Sequence, residues 1–293
     1  MNRGLLLLAL VVQLLLSPAA SYGQQRYLVR GLVLRVDRAH QKMLVSCQEI
    51  PGYMDAMVMS FKVADPKSLD GLASGAQIQF TLVVTKEASH AEDVRIVGYT
   101  SAEREPSKSR RLKTLDEALG GPGSPALSVG QAVPDFVLTD QNKRRVRLSD
   151  FAGKVVALNF VYTRCALPDY CYRLSNNFGA LQKRYKDLMG RELILLTVTF
   201  DPVHDQPEIL SEYAGIWKAD PDNWRFLTGP AAEVQRVCDL FGVNFVQDEG
   251  LFVHSLHTAV IGRDRNLVAN LEGNEFTPQQ LGDLVGAVLE TSK

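Results

Sequence analysis

The stretch from Val155 to Val198 constrains the fold most, because its hydrophobic period changes twice. Val155 to Val161 is almost continuously apolar, as a strand buried on both faces must be. From Cys171 to Leu188 the apolar positions Leu174, Phe178, Leu181, Tyr185 and Leu188 fall on one helical face. Leu193 to Val198 is again an apolar strand. Strand, helix and strand in that order form a right-handed crossover between two parallel strands. Helical patterns at Pro207 to Trp217 and Ala231 to Leu240, an antiparallel-looking pair Thr258 to Gly262 and Asn266 to Glu272, and a terminal helix from Pro278 extend this unit to a layered α/β sandwich.

The chain before it follows different rules. From Tyr27 to about Thr100 the pattern is of short strands: Tyr27 to Val36 alternates loosely, and Gln77 to Val84 and Val94 to Tyr99 are rich in β-branched and aromatic residues. Gly52, Pro66, Gly71 and Gly75 punctuate them at turn positions. Five short strands in so short a span read as a small all-β, OB-like barrel. Ser101 to Pro125 carries Arg110, Arg111 and Lys113 among serines, prolines and glycines and reads as a solvated tether, with one helical turn around Leu115 to Leu119. A length of 293 residues fits this two-domain division, with the barrel at 27–100, the linker at 101–128 and the α/β domain at 129–293.

Residues 1–23 have the layout of a signal peptide: Arg3, an apolar run from Leu5 to Leu16, then Ser17, Pro18, Ala19, Ala20, Ser21 and Gly23. The run is shorter than the roughly 20 apolar residues that span a bilayer. The expected product is exported, to the periplasm or the outer face of the cytoplasmic membrane, with membrane association only if the segment stays uncleaved. A formal charge of −1 lacks the basic footprint that nucleic acid requires. Export bears on the four cysteines, since thiols outside the cytoplasm pair unless metal, burial or a reducing partner prevents it.

Cys165 lies just past a buried strand and Cys171 at the start of the following helix, where free N–H groups and the helix dipole favour thiolate over thiol. Arg164 adds a cation nearby. Such sulfurs are nucleophiles and soft ligands suited to Cu(I), and an imidazole from His254 or His257 would complete a trigonal site or help accept Cu(II). The plain alternative is a structural disulfide between Cys165 and Cys171. Cys238, within an apolar helical pattern, reads as a small core residue. Asp201 and Asp205 read as helix caps.

The residues Phe160-Val161-Tyr162-Thr163-Arg164-Cys165, then Cys171, Asp201-Pro202 with Asp205 and Pro207, and His254-Ser255 followed by Val260-Ile261-Gly262-Arg263-Asp264 resemble the Sco/SenC family. The resemblance implies a thioredoxin-like fold from about Val129 onward and copper held by Cys165, Cys171 and His254, with His257 taking no ligand role. It also implies delivery of copper to a cytochrome c oxidase subunit or another copper protein, or reduction of its thiols. Five residues separate the cysteines where the family has three, so Pro168 and Asp169 are expected to restrain the longer loop. Arg265 stands where the family commonly has a turn glycine.

Three of six methionines fall within Met54 to Met59. Met57 and Met59, two apart in a strand, point to one face, where two thioethers can meet one soft ion; the alternative is that they fill a barrel core. Ile50 to Phe61 looks like the periplasmic copper-binding CusF-like domain. That resemblance gives Met57 and Met59 the paired-methionine role, puts Met54 in the region of an aromatic cap, and puts Cys47 where a histidine ligand is expected.

The leading expectation is therefore an exported copper-binding metallochaperone. The competing ones are a thiol-disulfide oxidoreductase cycling Cys165 and Cys171, and copper sequestration for tolerance. Thioredoxin-type oxidoreductases place a cis-proline opposite their cysteines, and His257-Thr258-Ala259 has none, which favours metal.

Overall fold

A computed structural model describes residues 24–97 and 126–291, so the signal-peptide reading and almost all of the linker lie outside the described residues. Among the described residues no helix is long and apolar enough to cross a membrane.

The first sheet contains β1 (Gln25–Asp37), β2 (Lys42–Cys47), β3 (Met57–Lys62), β4 (Gln77–Val84) and β5 (Ser89–Ile96) in the order β3-β2-β1-β4-β5, every pair antiparallel. Its two edges meet where Val63 bridges Ala91 and the Ala64 N–H donates to the Ala91 carbonyl at 3.0 Å, so the sheet curls into a nearly closed barrel. Val29, Val33, Met43, Val45, Phe61, Ile78, Phe80 and Leu82 fill it. Gly52, Gly71 and Gly75 all take positive φ, the turn conformation that glycine adopts without a Cβ penalty.

The second sheet runs β14-β13-β8-β9-β10-β6-β7, with β6 (Val137–Asp140), β7 (Arg145–Arg147), β8 (Val155–Val161), β9 (Leu193–Thr199), β10 (Trp224–Thr228), β13 (His257–Ile261) and β14 (Leu267–Glu272). The strands β8, β9 and β10 are parallel, and β6, β7, β13 and β14 add antiparallel edges. Every residue of β8 is buried: Val156, Leu158 and Phe160 face one core and Val155 and Ala157 the other. Helices α1 (Arg173–Arg184), α2 (Pro207–Ile216) and α4 (Pro278–Thr291) cover the second face, while α3 (Ala231–Leu240) covers the first through Val234, Val237 and Cys238. This is the expected α/β sandwich. A separate hairpin of β11 (Phe245–Asp248) and β12 (Leu251–His254) stands beside it.

Several elements differ from the sequence reading. The β6–β7 hairpin, β10 and the β11–β12 hairpin are not among the strands expected from the sequence. The helix expected from Cys171 begins at Arg173, preceded by an irregular turn over Pro168–Tyr172 in which Tyr170 is non-helical, and it stops at Arg184.

The barrel and the sandwich are packed together. Leu32 and Leu34 of β1 point out of the barrel into the cluster that contains Ala269, Leu271, Leu284 and Val288. Ser46 Oγ donates to Asp283 at 2.7 Å, Gln280 donates to the Ser46 carbonyl at 3.0 Å, and Arg184 pairs with the other Asp283 oxygen at 2.7 Å. A Cβ on Gly75 would stand 2.8 Å from that of Ala269, so glycine there permits the close approach.

Candidate metal centre

Cys165, Cys171 and His254 converge. One ligand atom from each lies within 4.8 Å of the other two, and Cys171 Sγ stands 3.7 Å from His254 Nε2. Donors bound at about 2.0–2.3 Å around a trigonal ion would be roughly 3.5–4 Å apart, so the three atoms need little movement to share one ion. The three come from different places: Cys165 from the loop leaving β8, Cys171 from the turn that enters α1, and His254 from the last residue of β12. The hairpin sets that last position, since its two-residue connection, Glu249 and Gly250, has positive φ at both positions, as a type I′ turn requires. That turn signal was readable in the sequence and would have placed His254 on a strand.

The imidazole is oriented from behind. Its Nδ1–H donates to the Ser255 carbonyl at 2.9 Å, which leaves the Nε2 lone pair facing the sulfurs. Tyr162, Phe200 and Tyr170 surround the ring at centroid distances of 5.7, 4.8 and 6.1 Å, giving it an apolar wall. His257, by contrast, is buried on β13 against Asn270 and lies outside the cluster. Burial pushes its ionisation down to about 4, with the Asn270 hydrogen bond opposing.

The two thiols are unequal. A hydrogen bond from the Cys171 thiol, with others from backbone N–H groups, holds the half-buried Cys165 down to about 4 against the cost of burial. Cys171 is pushed up by its own burial and by the neighbouring Cys165 sulfur.

The loop that carries Cys165 is held by a buried carboxylate. Asp205 accepts from the Thr163 N–H at 3.0 Å, the Thr163 hydroxyl at 2.5 Å and the Thr199 hydroxyl at 2.5 Å. It caps no helix: α2 begins after Gln206. Arg164 donates to Asp201 at 2.7 Å, so its charge is committed to that carboxylate rather than to the thiols. Asp169 does not cap α1 with its side chain; instead its carbonyl accepts from Asn274, which ties the five-residue loop between the cysteines to the segment before α4. Arg265 has φ 64°, consistent with a position that favours glycine.

In the barrel, Cys47 pairs with Met57 and Val45 with Met59 across the β2–β3 ladder, so Cys47, Met57 and Met59 share one face. Met57 is 45% exposed at the rim. Met54 and Met59 are partly buried against the barrel core, and Cys47 is fully buried, its thiol pushed up to about 12 by desolvation. Tyr53 stacks on Tyr27 at 3.9 Å beside them. Cys238 lies in the sandwich core, as expected of a small apolar residue.

A family model described as SCO1/SenC matches residues 126–289, more than half of the chain. The chain belongs to the SCO1/SenC family. A second model, that of the copper binding periplasmic protein CusF, matches residues 26–95. Among curated relatives, the SCO1 protein homolog of Bacillus subtilis is 26% identical over 164 residues, covering 55% of this chain and 82% of the relative. Protein sco1 of Schizosaccharomyces pombe is 26% identical over 160 residues, 52% of this chain and 59% of the relative. The thiol-disulfide oxidoreductase ResA of Bacillus subtilis is 35% identical over 78 residues, 26% of this chain and 40% of the relative. Among solved structures, copper-bound ScoI of Arabidopsis thaliana superposes with a TM-score of 0.48 at 24% identity, covering 56% of this chain and 99% of that one.

Proposed function

We propose that this protein is an exported copper chaperone that holds Cu(I) between Cys165, Cys171 and His254 and passes it to a copper protein such as a cytochrome c oxidase subunit. The observation that carries the reading is the convergence of two sulfurs and an Nε2 lone pair within 4.8 Å, with the imidazole already oriented by Ser255. Two thiolates and one imidazole form a soft, low-coordinate donor set, which suits Cu(I) better than the tetrahedral demand of structural zinc. Copper is also the metal in the description of the family matched by the barrel. Cys165 is the ligand open to a recipient, being only partly buried, and next to it an open cleft of about 460 Å³ is lined by Phe200, Phe245 and Phe252 together with Arg164, Asp201 and His204. In the barrel, Met57 and Met59, with Met54 and Cys47 alongside, form a second copper site of weaker, mostly neutral sulfur donors.

The test is an anaerobic Cu(I) titration of the exported protein. Cys165→Ser should remove the tight equivalent, and a titration identical to that of the unaltered chain would reject the reading.

A second reading, a thiol-disulfide oxidoreductase, has its own support in the asymmetry of the pair: a low-ionising, half-exposed Cys165 is a competent attacking thiolate and the buried Cys171 a resolving thiol. Rapid insulin reduction by copper-free protein would promote this reading over the first.

A further inference from the structure

The sandwich meets the barrel beside the methionine rim, through a segment whose other end holds the loop between Cys165 and Cys171. Gln279, in the first turn of α4, donates to the carbonyl of Ala56 at 3.2 Å, next to the rim residue Met57. Asn274, five residues earlier, donates to the carbonyl of Asp169 in the loop between Cys165 and Cys171. One short segment, 274–279, therefore borders both sulfur clusters, and five residues of even fully extended chain span no more than about 17 Å. The rest of the contact fixes the orientation. Ser46 of β2 bonds Asp283 from the outer face of the sheet and Gln280 holds the Ser46 carbonyl from the same helix, so Cys47, next along the strand, turns to the barrel side with Met57 and Met59. Leu32 and Leu34 bury the outer face of the barrel against the sandwich, so this arrangement is a packed interface rather than a tethered encounter.

The donor sets are graded in the same direction. Met57 and Met59 offer thioethers, which stay neutral and bear no proton to lose, Met57 being exposed at the rim, whereas Cys165 and Cys171 offer thiol sulfurs that bind a metal as thiolates, in a more buried site. Soft thiolates outcompete thioethers for Cu(I).

We propose that the barrel is the intramolecular donor to the Cys165–Cys171–His254 site: Cu(I) captured at the Met57 rim crosses to the two thiolates of the same chain without release to solvent. This rests on the copper reading above. The copper stays Cu(I), so no electron moves. Two thioether–copper bonds break without proton change, and the Cys171 thiol gives one proton to water as its sulfur binds. If Cys47 has also bound the ion, its thiolate takes one proton back.

The experiment uses the full exported chain under anaerobic, reducing conditions, with the Cu(I)–bicinchoninate complex as copper source. Arrival at the sandwich is followed by thiolate-to-copper absorption and by protection of Cys165 and Cys171 from alkylation. The Met57→Leu/Met59→Leu chain, which conserves side-chain volume, should load this site at least about tenfold more slowly, because a tethered barrel meets the site at an effective concentration near millimolar, up to about a thousandfold above a micromolar copper source in solution. Leu34→Glu, which leaves both ligand sets in place but breaks the packed face, should slow loading as well. Unchanged rates in both variants would overturn the relay while leaving the copper site standing. Mixing the methionine variant with a Cys165→Ser/Cys171→Ser chain provides a barrel in trans. Rescue to the original rate would show that transfer is not intramolecular and would also overturn the proposal; failure to rescue supports it. Absence of tight binding in the unaltered chain would be a failure of the copper reading itself, seen before any rate is compared.

Discussion

Replacing Asp205 by alanine removes the acceptor for three donors at once: the Thr163 N–H, the Thr163 hydroxyl and the Thr199 hydroxyl. The carboxylate is fully buried, so water cannot take its place without opening the loop. Hydrogen bonds to a charged group contribute about 1.5–3 kcal/mol each, and the desolvation of the carboxylate that is no longer buried offsets part of the sum, which leaves a net loss of about 3–5 kcal/mol. The direction of its ionisation supports that offset, because burial raises Asp205 even though its hydrogen bonds lower it. Guanidinium denaturation of copper-free protein at neutral pH measures the loss. The same change should also weaken Cu(I) binding in competition with bicinchoninate by about tenfold, as loss of an outer-shell support typically does, because Thr163 is two residues from Cys165. Asparagine should rescue part of it, since its carbonyl oxygen can still accept from the Thr163 N–H and the Thr199 hydroxyl while its NH2 group faces the Thr163 hydroxyl, which can accept. A stability loss below about 1 kcal/mol, or an unchanged copper affinity, would refute the view that Asp205 holds the ligand loop.

Other outcomes follow from the same geometry. At pH 6 iodoacetamide should label Cys165 well before the other cysteines, because its ionisation lies near 4 whereas burial holds Cys47 near 12 and raises Cys171 and Cys238; mass spectrometry after brief exposure would show it, and equal labelling would contradict it. His257 ionises near 4 in the fold against 6.5 ordinarily, so the unfolded chain binds the extra proton first. Its contribution should be complete above pH 6.5 and decline as pH falls toward 4 by about 3 kcal/mol at most. A His257→Gln chain should lose that part of the pH dependence, and coincident stability curves from pH 7 to 4 would argue against it. Gly75→Ala should cost about 1–3 kcal/mol and loosen the two domains, since Gly75 holds a positive φ and a Cβ there would stand 2.8 Å from that of Ala269 across the contact; limited proteolysis between the domains reads the second effect.

The elements most legible in the sequence were those with a sustained period. The apolar runs of β8 and β9 and the helical stripe from Leu174 to Leu181 gave the crossover that puts Cys165 and Cys171 at one end of the sheet. The strands that escaped are short and lack that regularity: β7 has three residues, and β10 mixes Trp224, Arg225 and Thr228. The docking of the two domains was written in Leu32-Val33-Leu34. Three consecutive buried apolar residues in a strand mean burial on both faces, with Val33 inside the barrel and its two neighbours against the sandwich. Asp205 looked like a cap because Asp before a helix usually is one, and only the tertiary fold brings Thr163 and Thr199 to it. Arg164 looked like a cation for the thiols for a similar reason, and the partner that takes its charge, Asp201, lies 37 positions away.

The central claim is tested most directly by X-ray absorption at the copper edge on the protein carrying one equivalent of Cu(I). A trigonal site predicts two sulfur neighbours and one nitrogen, with loss of the nitrogen in His254→Ala and of one sulfur in Cys165→Ser. A spectrum that stays the same in both variants would place the metal elsewhere and contradict the account.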